Sequence, residues 1–261
     1  MRPGPARTKR ALTRPVPDSL AECTLTHITR AAVDVRLARE QHAAYEAVLE
    51  RHGWIVERVP AAPALPDSVF IEDTAVVFDE IAVVTRPGAA SRQPETEDVA
   101  AALAARRRLA VIAAPGTLDG GDVLRVGQDV YVGMSGRSNA EGLRQLAAMV
   151  SSYGYRVHGV ATRGCLHLKS AATSAGEQLL VINPEWLEAG QIPGCEWVEV
   201  DPAEPFAANV VRLGDRVLMS AAAPRTRERL ERRGVSTVAV DLSELAKAEG
   251  ALTCCSLLLE R

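Results

Sequence analysis

The side chains of this 261-residue chain best suited to chemistry are few and far apart. Cysteines stand at Cys23, Cys165, Cys195, Cys254 and Cys255, and histidines at His27, His42, His52, His158 and His167. Glu72 and Asp73, Asp119 and Asp122, His167 and Lys169, and Cys254 and Cys255 together offer a nucleophile, a base and several carboxylates. A thiol beside a histidine can be activated as thiolate, and a carboxylate can orient the imidazole. The surplus acids are informative, because carboxylates gathered in one pocket repel one another unless a cation sits among them. That cation is either a metal ion or a guanidinium-type substrate, which carboxylates take bidentately. Singly, each residue has an ordinary explanation. A cysteine in an apolar strand is usually an inert small hydrophobe, and a Gly-Gly pair such as that in "LDGGD" usually marks a bulge or tight turn.

The elements that carry these residues recur. "SVFIEDTAVVFDEIAVVTRP" runs strand, acidic interruption, strand, a turn at "DE", strand. "TLDGGDVLRVGQDVYVGMS", "LHLKSAATSAGEQLLVINP" and "PFAANVVRLGDRVLMSAAAP" repeat the shape with turns at "GQD", "SAGE" and "LGD", which are hairpin signals. Helix-period segments follow most hairpins and lead to one more strand: "TEDVAAALAARRR", "NAEGLRQLAAMVSSYG" and "RTRERLERRG", with "VRLAREQHAAYEAVLERHG" earlier. Gly154 and Gly234 fall where C-terminal helix caps belong. The weakest helix is in the fourth unit, at "PEWLEAGQ".

Asp73, Asp122, Lys169, Asn209 and Ser256 mark one phase of this unit, at separations of 49, 47, 40 and 47 residues. Such a period means a propeller or solenoid. "GALTCCSLLLE" begins a unit that has no room to finish, whereas the first unit opens at "TLTHITRAA" and goes straight to its helix. The simplest solution is a closed ring of ββαβ repeats in which the C-terminal strand completes the first blade and leaves no open edge. Equivalent positions then converge on the axis, and residues distant in sequence meet there.

Composition narrows the rest. With 47% hydrophobic residues, 24% charged residues and a net charge of -3, the chain is an ordinary globular protein unsuited to nucleic acid or an anionic membrane as its main partner. No run approaches the ~20 apolar residues of a membrane span. An odd cysteine count without a CxxC pair fits neither a disulfide framework nor a structural zinc site, and points to a reducing, cytoplasmic setting. A single domain over residues 1–261 is expected, with residues 1–19 a loose basic tail because Pro3, Pro5, Pro15 and Pro17 interrupt it.

Four stretches in order, "PDSVFIEDTAVV", "LDGGDV", "LHLKS" and "LTCCS", resemble the dimethylarginine dimethylaminohydrolase family. That family belongs to the guanidine-modifying (pentein) superfamily of five-bladed α/β propellers, and the resemblance runs from about Leu25 to the C-terminus. It implies hydrolysis of Nω-methylated L-arginine to L-citrulline and an amine, with a small-molecule substrate and neither metal nor cofactor. It implies Cys254 as nucleophile, His167 as general acid and base, and Asp119 as the residue orienting His167. Asp67, Glu72 and Asp73 match guanidinium-binding acids, and Arg92 and Arg137 match the grip on the substrate α-carboxylate. The main chain at Leu25 and Ala248 matches the α-amino site, beside Glu249, where a related enzyme has Asp. Cys255 is expected to face away from Cys254, into packing, by strand alternation.

Other readings are an arginine deiminase or another guanidine hydrolase of the superfamily, an amidinotransferase, a non-catalytic propeller that binds a macromolecule, and a metal site at Cys254, Cys255, His167 and Asp119. The longer deiminases carry an added helical domain for which this chain lacks room. Oligomeric state is open, a homodimer included.

Overall fold

Short apolar runs separated by tight turns give antiparallel hairpins, and each further strand reached through a helical crossover pairs in parallel. In the computed structural model, which describes residues 8–260, this happens five times over. The second sheet joins β3 (Ala75–Val77), β4 (Ile81–Val84) and β5 (Arg108–Val111); the third joins β6 (Val123–Val126), β7 (Asp129–Gly133) and β8 (Arg156–Val160). The fourth joins β9 (Ala172–Ser174), β10 (Leu179–Ile182) and β11 (Glu196–Glu199), and the fifth β12 (Val211–Leu213), β13 (Arg216–Ser220) and β14 (Ser236–Val240). In each, the first pair is antiparallel and the second parallel. The first sheet follows the same pattern with strands from both ends of the chain. β15 (Leu257–Glu260) pairs antiparallel with β1 (Lys9–Thr13), which pairs parallel with β2 (Trp54–Arg58). The ring of five blades closes through the C-terminal strand, a pseudo-symmetric α/β propeller.

The crossovers carry α1 (Val35–Arg51), α2 (Thr96–Ala104), α3 (Ala140–Val150) and α5 (Pro224–Arg232). The fourth crossover keeps only a 3-10 turn at Ala189–Gln191, where the sequence pattern is weakest. Gly154 and Gly234 adopt φ of 87° and 80°, the left-handed geometry that ends a helix. Buried Val, Leu, Ile and Ala side chains fill the spaces between sheets and helices. Among the described residues no helix is long and apolar enough to cross a membrane.

Two expectations fail together in the first blade. Residues 1–7 of the expected tail lie outside the described residues, but the segment that follows is ordered, with β1 as the middle strand of a sheet and a 3-10 turn at Asp18–Glu22. Its prolines flank the strand instead of interrupting it. The first unit consequently opens at β1 and not at "TLTHITRAA", which lies between the 3-10 turn and α1. That stretch forms an irregular loop tied down by side chains.

The phase seen in the sequence has a structural cause. One helical turn precedes four of the five inner strands: Ile71–Thr74 before β3, Gly120–Asp122 before β6, α4 (Leu168–Ala171) before β9 and Thr253–Cys255 before β15. These turns pack against one another around the axis. Space there is tight enough to explain the glycine pair. A Cβ on Gly120 would overlap the Glu72 carbonyl oxygen, and one on Gly121 would lie 2.6 Å from His167 Nδ1 and 2.8 Å from Asp73 Oδ1. Close approach, more than turn geometry, requires both glycines.

Candidate active site

His167 sits in extended backbone just before α4, which aims its ring at the turns of the two preceding blades. Nε2 lies 3.0 Å from Asp119 Oδ2, and Nδ1 lies 3.8 Å from Asp73 Oδ1. The ring is buried between two carboxylates. Burial by itself would strip its proton. Asp73, the Asp119 hydrogen bond and Asp122 outweigh that cost and raise the ring to about 9, so it is imidazolium at neutral pH. Asp119 has no solvent exposure, and its Oδ1 accepts the Gly88 N–H at 2.8 Å.

Asp73 is fixed by the Gly121 N–H at 2.9 Å on Oδ1 and by Arg92 Nη1 on Oδ2. Burial opposes its ionisation, but the charges of His167 and Arg92 and these hydrogen bonds hold its carboxyl at about 2. Cys254 lies half-buried in the Thr253–Cys255 turn. Burial, then the charges of Glu72 and Asp73, push its thiol well above the usual range, while a hydrogen bond with the Ala251 backbone pulls the other way. Without a bound cation the centre therefore holds a thiol and an imidazolium.

Cys255 is fully buried, with Sγ 3.4 Å from the Ala251 carbonyl oxygen. The two cysteines face differently, as expected, but the cause is a helical turn; β15 begins only at Leu257.

Two of the predicted binding residues already have partners within the protein. Arg92 is 5% exposed, and all three of its guanidinium nitrogens are engaged. Nε and Nη2 donate to Glu95, Nη2 also to the Phe70 and Asp67 carbonyls, and Nη1 to Asp73. At most one N–H, on Nη1, is left for an incoming carboxylate, so a bidentate grip is not available from Arg92 in this arrangement. A guanidinium between two buried carboxylates is drawn inward, and it holds Asp73. Glu72 is likewise occupied: Oε1 accepts from Lys169 Nζ at 2.6 Å and Oε2 from Thr253 Oγ1 at 2.6 Å. It ties the turns of the second, fourth and first blades together and acts on Cys254 through its charge.

Asp67 and Arg137 remain at the rim, under the loop formed by "TLTHITRAA". Thr24 N–H donates to Asp67, and Arg137 Nη2 donates to Thr26 Oγ1 at 3.1 Å. Leu25 is partly buried, and Ala248 is buried at the end of the neighbouring turn. Glu249, next to Ala248, takes the strained φ of 61° and turns its carboxylate onto this loop, accepting from Thr26 N–H at 2.6 Å and His27 N–H at 2.8 Å. Beside it opens a cavity of about 380 Å³, walled by Ile28, Leu166, Phe206 and Ala251 among others.

Asp73, Asp119 and His167 present oxygen and nitrogen atoms within 4.8 Å of one another. Arg92 and the doubly protonated His167 ring already supply positive charge to these two carboxylates. Sequence reasoning gave no role to Asp122, Ser135, Ser138, Glu95 or Lys169. The phase of the repeat singled out Asp122 and Lys169, and the i, i+3 spacing of Arg92 and Glu95 was a signal for that pair.

No protein-family model matches the chain. It is 44% identical over 260 residues to the dimethylarginine dimethylaminohydrolase of Streptomyces coelicolor, covering 97% of each chain. It is 35% identical over 226 residues to that of Pseudomonas aeruginosa, covering 86% of this chain and 89% of the relative. The solved structure of a cysteine-to-serine mutant of the Pseudomonas aeruginosa enzyme with citrulline superimposes at a TM-score of 0.91 and 33% identity, over 97% of this chain and all of the other. Likeness of this extent, on a propeller whose axis gathers a cysteine, a carboxylate-flanked histidine and fixed acids, is a family relationship: the chain belongs to the dimethylarginine dimethylaminohydrolase family.

Proposed function

We propose that the chain hydrolyses Nω-methylated L-arginine to L-citrulline and methylamine or dimethylamine through a covalent intermediate on Cys254. The observation that carries the reading is the His167 ring held between Asp119 and Asp73, with the Asp73 charge also acting on Cys254. A guanidinium carbon is a poor electrophile because its charge is spread over three nitrogens. Asp73 and Asp67 fix the group against the thiol, which supplies near-attack geometry. The same cation offsets the acids that keep Cys254 protonated, so its proton leaves to solvent as substrate binds.

The thiolate forms a C–S bond to the guanidinium carbon. The bond from that carbon to the methylated nitrogen then breaks as His167 hands over its proton. Water adds to the resulting S-amidino intermediate, neutral His167 takes its proton, and the C–S bond breaks to return the thiolate. Asp119 fixes the ring and stabilises the imidazolium in both steps. Arg137 would hold the α-carboxylate after Thr26 releases it, with the main chain at Leu25 and Ala248 receiving the α-amino group. A reducing, cytoplasmic setting suits a reaction that depends on a free thiol.

Citrulline release from dimethylarginine, monomethylarginine and arginine tests this. Turnover of the methylated substrates well above that of arginine is expected. Release from arginine alone would replace the reading with a deiminase, and the absence of citrulline from all three would end it.

A further inference from the structure

Asp122 has no part in the reaction as described, yet it is fully buried at the centre of the site. Oδ1 accepts the N–H of Leu168, the residue after His167, at 3.0 Å. Oδ2 accepts two hydroxyls, Ser135 Oγ at 2.6 Å and Ser138 Oγ at 2.7 Å. Each hydroxyl passes the contact on. Ser138 Oγ accepts the Asp119 N–H at 3.1 Å, and Ser135 Oγ accepts the Arg137 N–H at 2.9 Å.

We propose that Asp122 is a positioning residue that sets three parts of the site at once: the His167 backbone, the Asp119 carboxylate and the Arg137 loop. This rests on the reading of His167 as acid and base. Three donors from two segments, the start of α4 and the loop after β7, converge on one carboxylate, so a shift of Asp122 moves the histidine, its partner and the α-carboxylate grip together. The branches are separable, because the Ser138 arm leads to the proton-transfer pair and the Ser135 arm to substrate binding.

Charge gives a second handle. His167 is faced by Asp73, Asp119 and Asp122, with Arg92 behind Asp73. Asp122 is faced by His167 and also acts on Cys165, whose thiol is pushed up to about 12 by burial and then by Asp122. Lys169 follows on α4 but bonds Glu72 and the Gly120 carbonyl. Burial lifts the Asp122 carboxyl to about 6, against His167 and its three hydrogen bonds. Its folded value lies above the unfolded one of about 3.9. Its contribution to stability is therefore full below the unfolded value and is lost as pH rises through about 6.

Asp122→Asn keeps an acceptor for Leu168 but deletes the charge. At neutral pH it should keep or raise the melting temperature, while kcat falls on the order of tenfold or more. The alkaline limb of kcat/KM should move to lower pH, because His167 then holds its proton less tightly. NMR titration of labelled histidine, with His167 assigned by its absence in His167→Gly, should show the same downward shift and needs no turnover. Ser138→Ala should lower kcat with KM nearly unchanged, and Ser135→Ala should raise KM several-fold with kcat nearly unchanged. Wild-type pH profile and His167 titration in Asp122→Asn would overturn the proposal, as would serine variants that alter the melting temperature alone. Failure of the reading beneath it would look different: His167→Gly would then keep its activity.

Discussion

Cys254→Ser is expected to lower citrulline release on the order of 10³-fold or more, while Cys255→Ser stays within a few-fold of the unaltered chain. The two positions differ by one residue and by everything that matters to a nucleophile. Cys254 is half-buried in the turn nearest the acids, and Glu72, Asp73 and the Ala251 backbone all act on its thiol. A bound cation turns that same acidic surrounding from a penalty on the thiolate into a site for the electrophile. A serine hydroxyl holds its proton far more tightly, and nothing in the site would remove it. Cys255 faces the Ala251 carbonyl in a closed interior, where a serine can donate the same hydrogen bond at a cost of about 1 kcal/mol. Citrulline assays on both purified variants decide the matter, and comparable activity in Cys254→Ser would remove the assignment.

His167→Gly should lower turnover by about 10²–10⁴-fold, since both the departing amine and the entering water lose their proton-transfer partner. The loss should not be even across the two steps. With an analogue whose leaving group departs without a proton, the first step can proceed and the second cannot, so an adduct should accumulate on Cys254. Intact mass after acid quenching reads it directly. If no adduct formed at any pH between about 6 and 10, the two-step scheme would lose its support.

The hairpins were legible because their turns need particular residues: Gly127 and Gly214 both take φ near that of a left-handed turn, 61° and 75°. The ring was legible from the recurrence of polar residues before inner strands. The first blade misled, since prolines on either side of Lys9–Thr13 looked like interruption and the sequence ahead of that strand has no acid to mark the phase. The site was legible in the types and order of Cys254, His167, Asp119 and Asp73, helped by a family resemblance. The inward turn of Arg92 was not. Whether an arginine faces substrate or neighbour depends on how many carboxylates surround it in space, and Glu95 is brought to it by an intervening turn. Asp122 stayed without a role for a similar reason, because its partners Ser135 and Ser138 meet it only when β6 and β7 pair.

The pairing of Lys9 with Glu260 spans nearly the whole chain, and the turn bearing Cys254 leads directly into that strand. Contacts of such sequence separation must overcome the largest loss of chain entropy and form late in folding. The turns carrying Asp73, Asp119 and His167 sit on neighbouring blades and depend on much shorter separations. A chain that has built its second, third and fourth blades would thus already hold its acids and its imidazole while lacking its nucleophile. On refolding, activity should return after most of the β structure, at the rate of that one longest-range strand pairing.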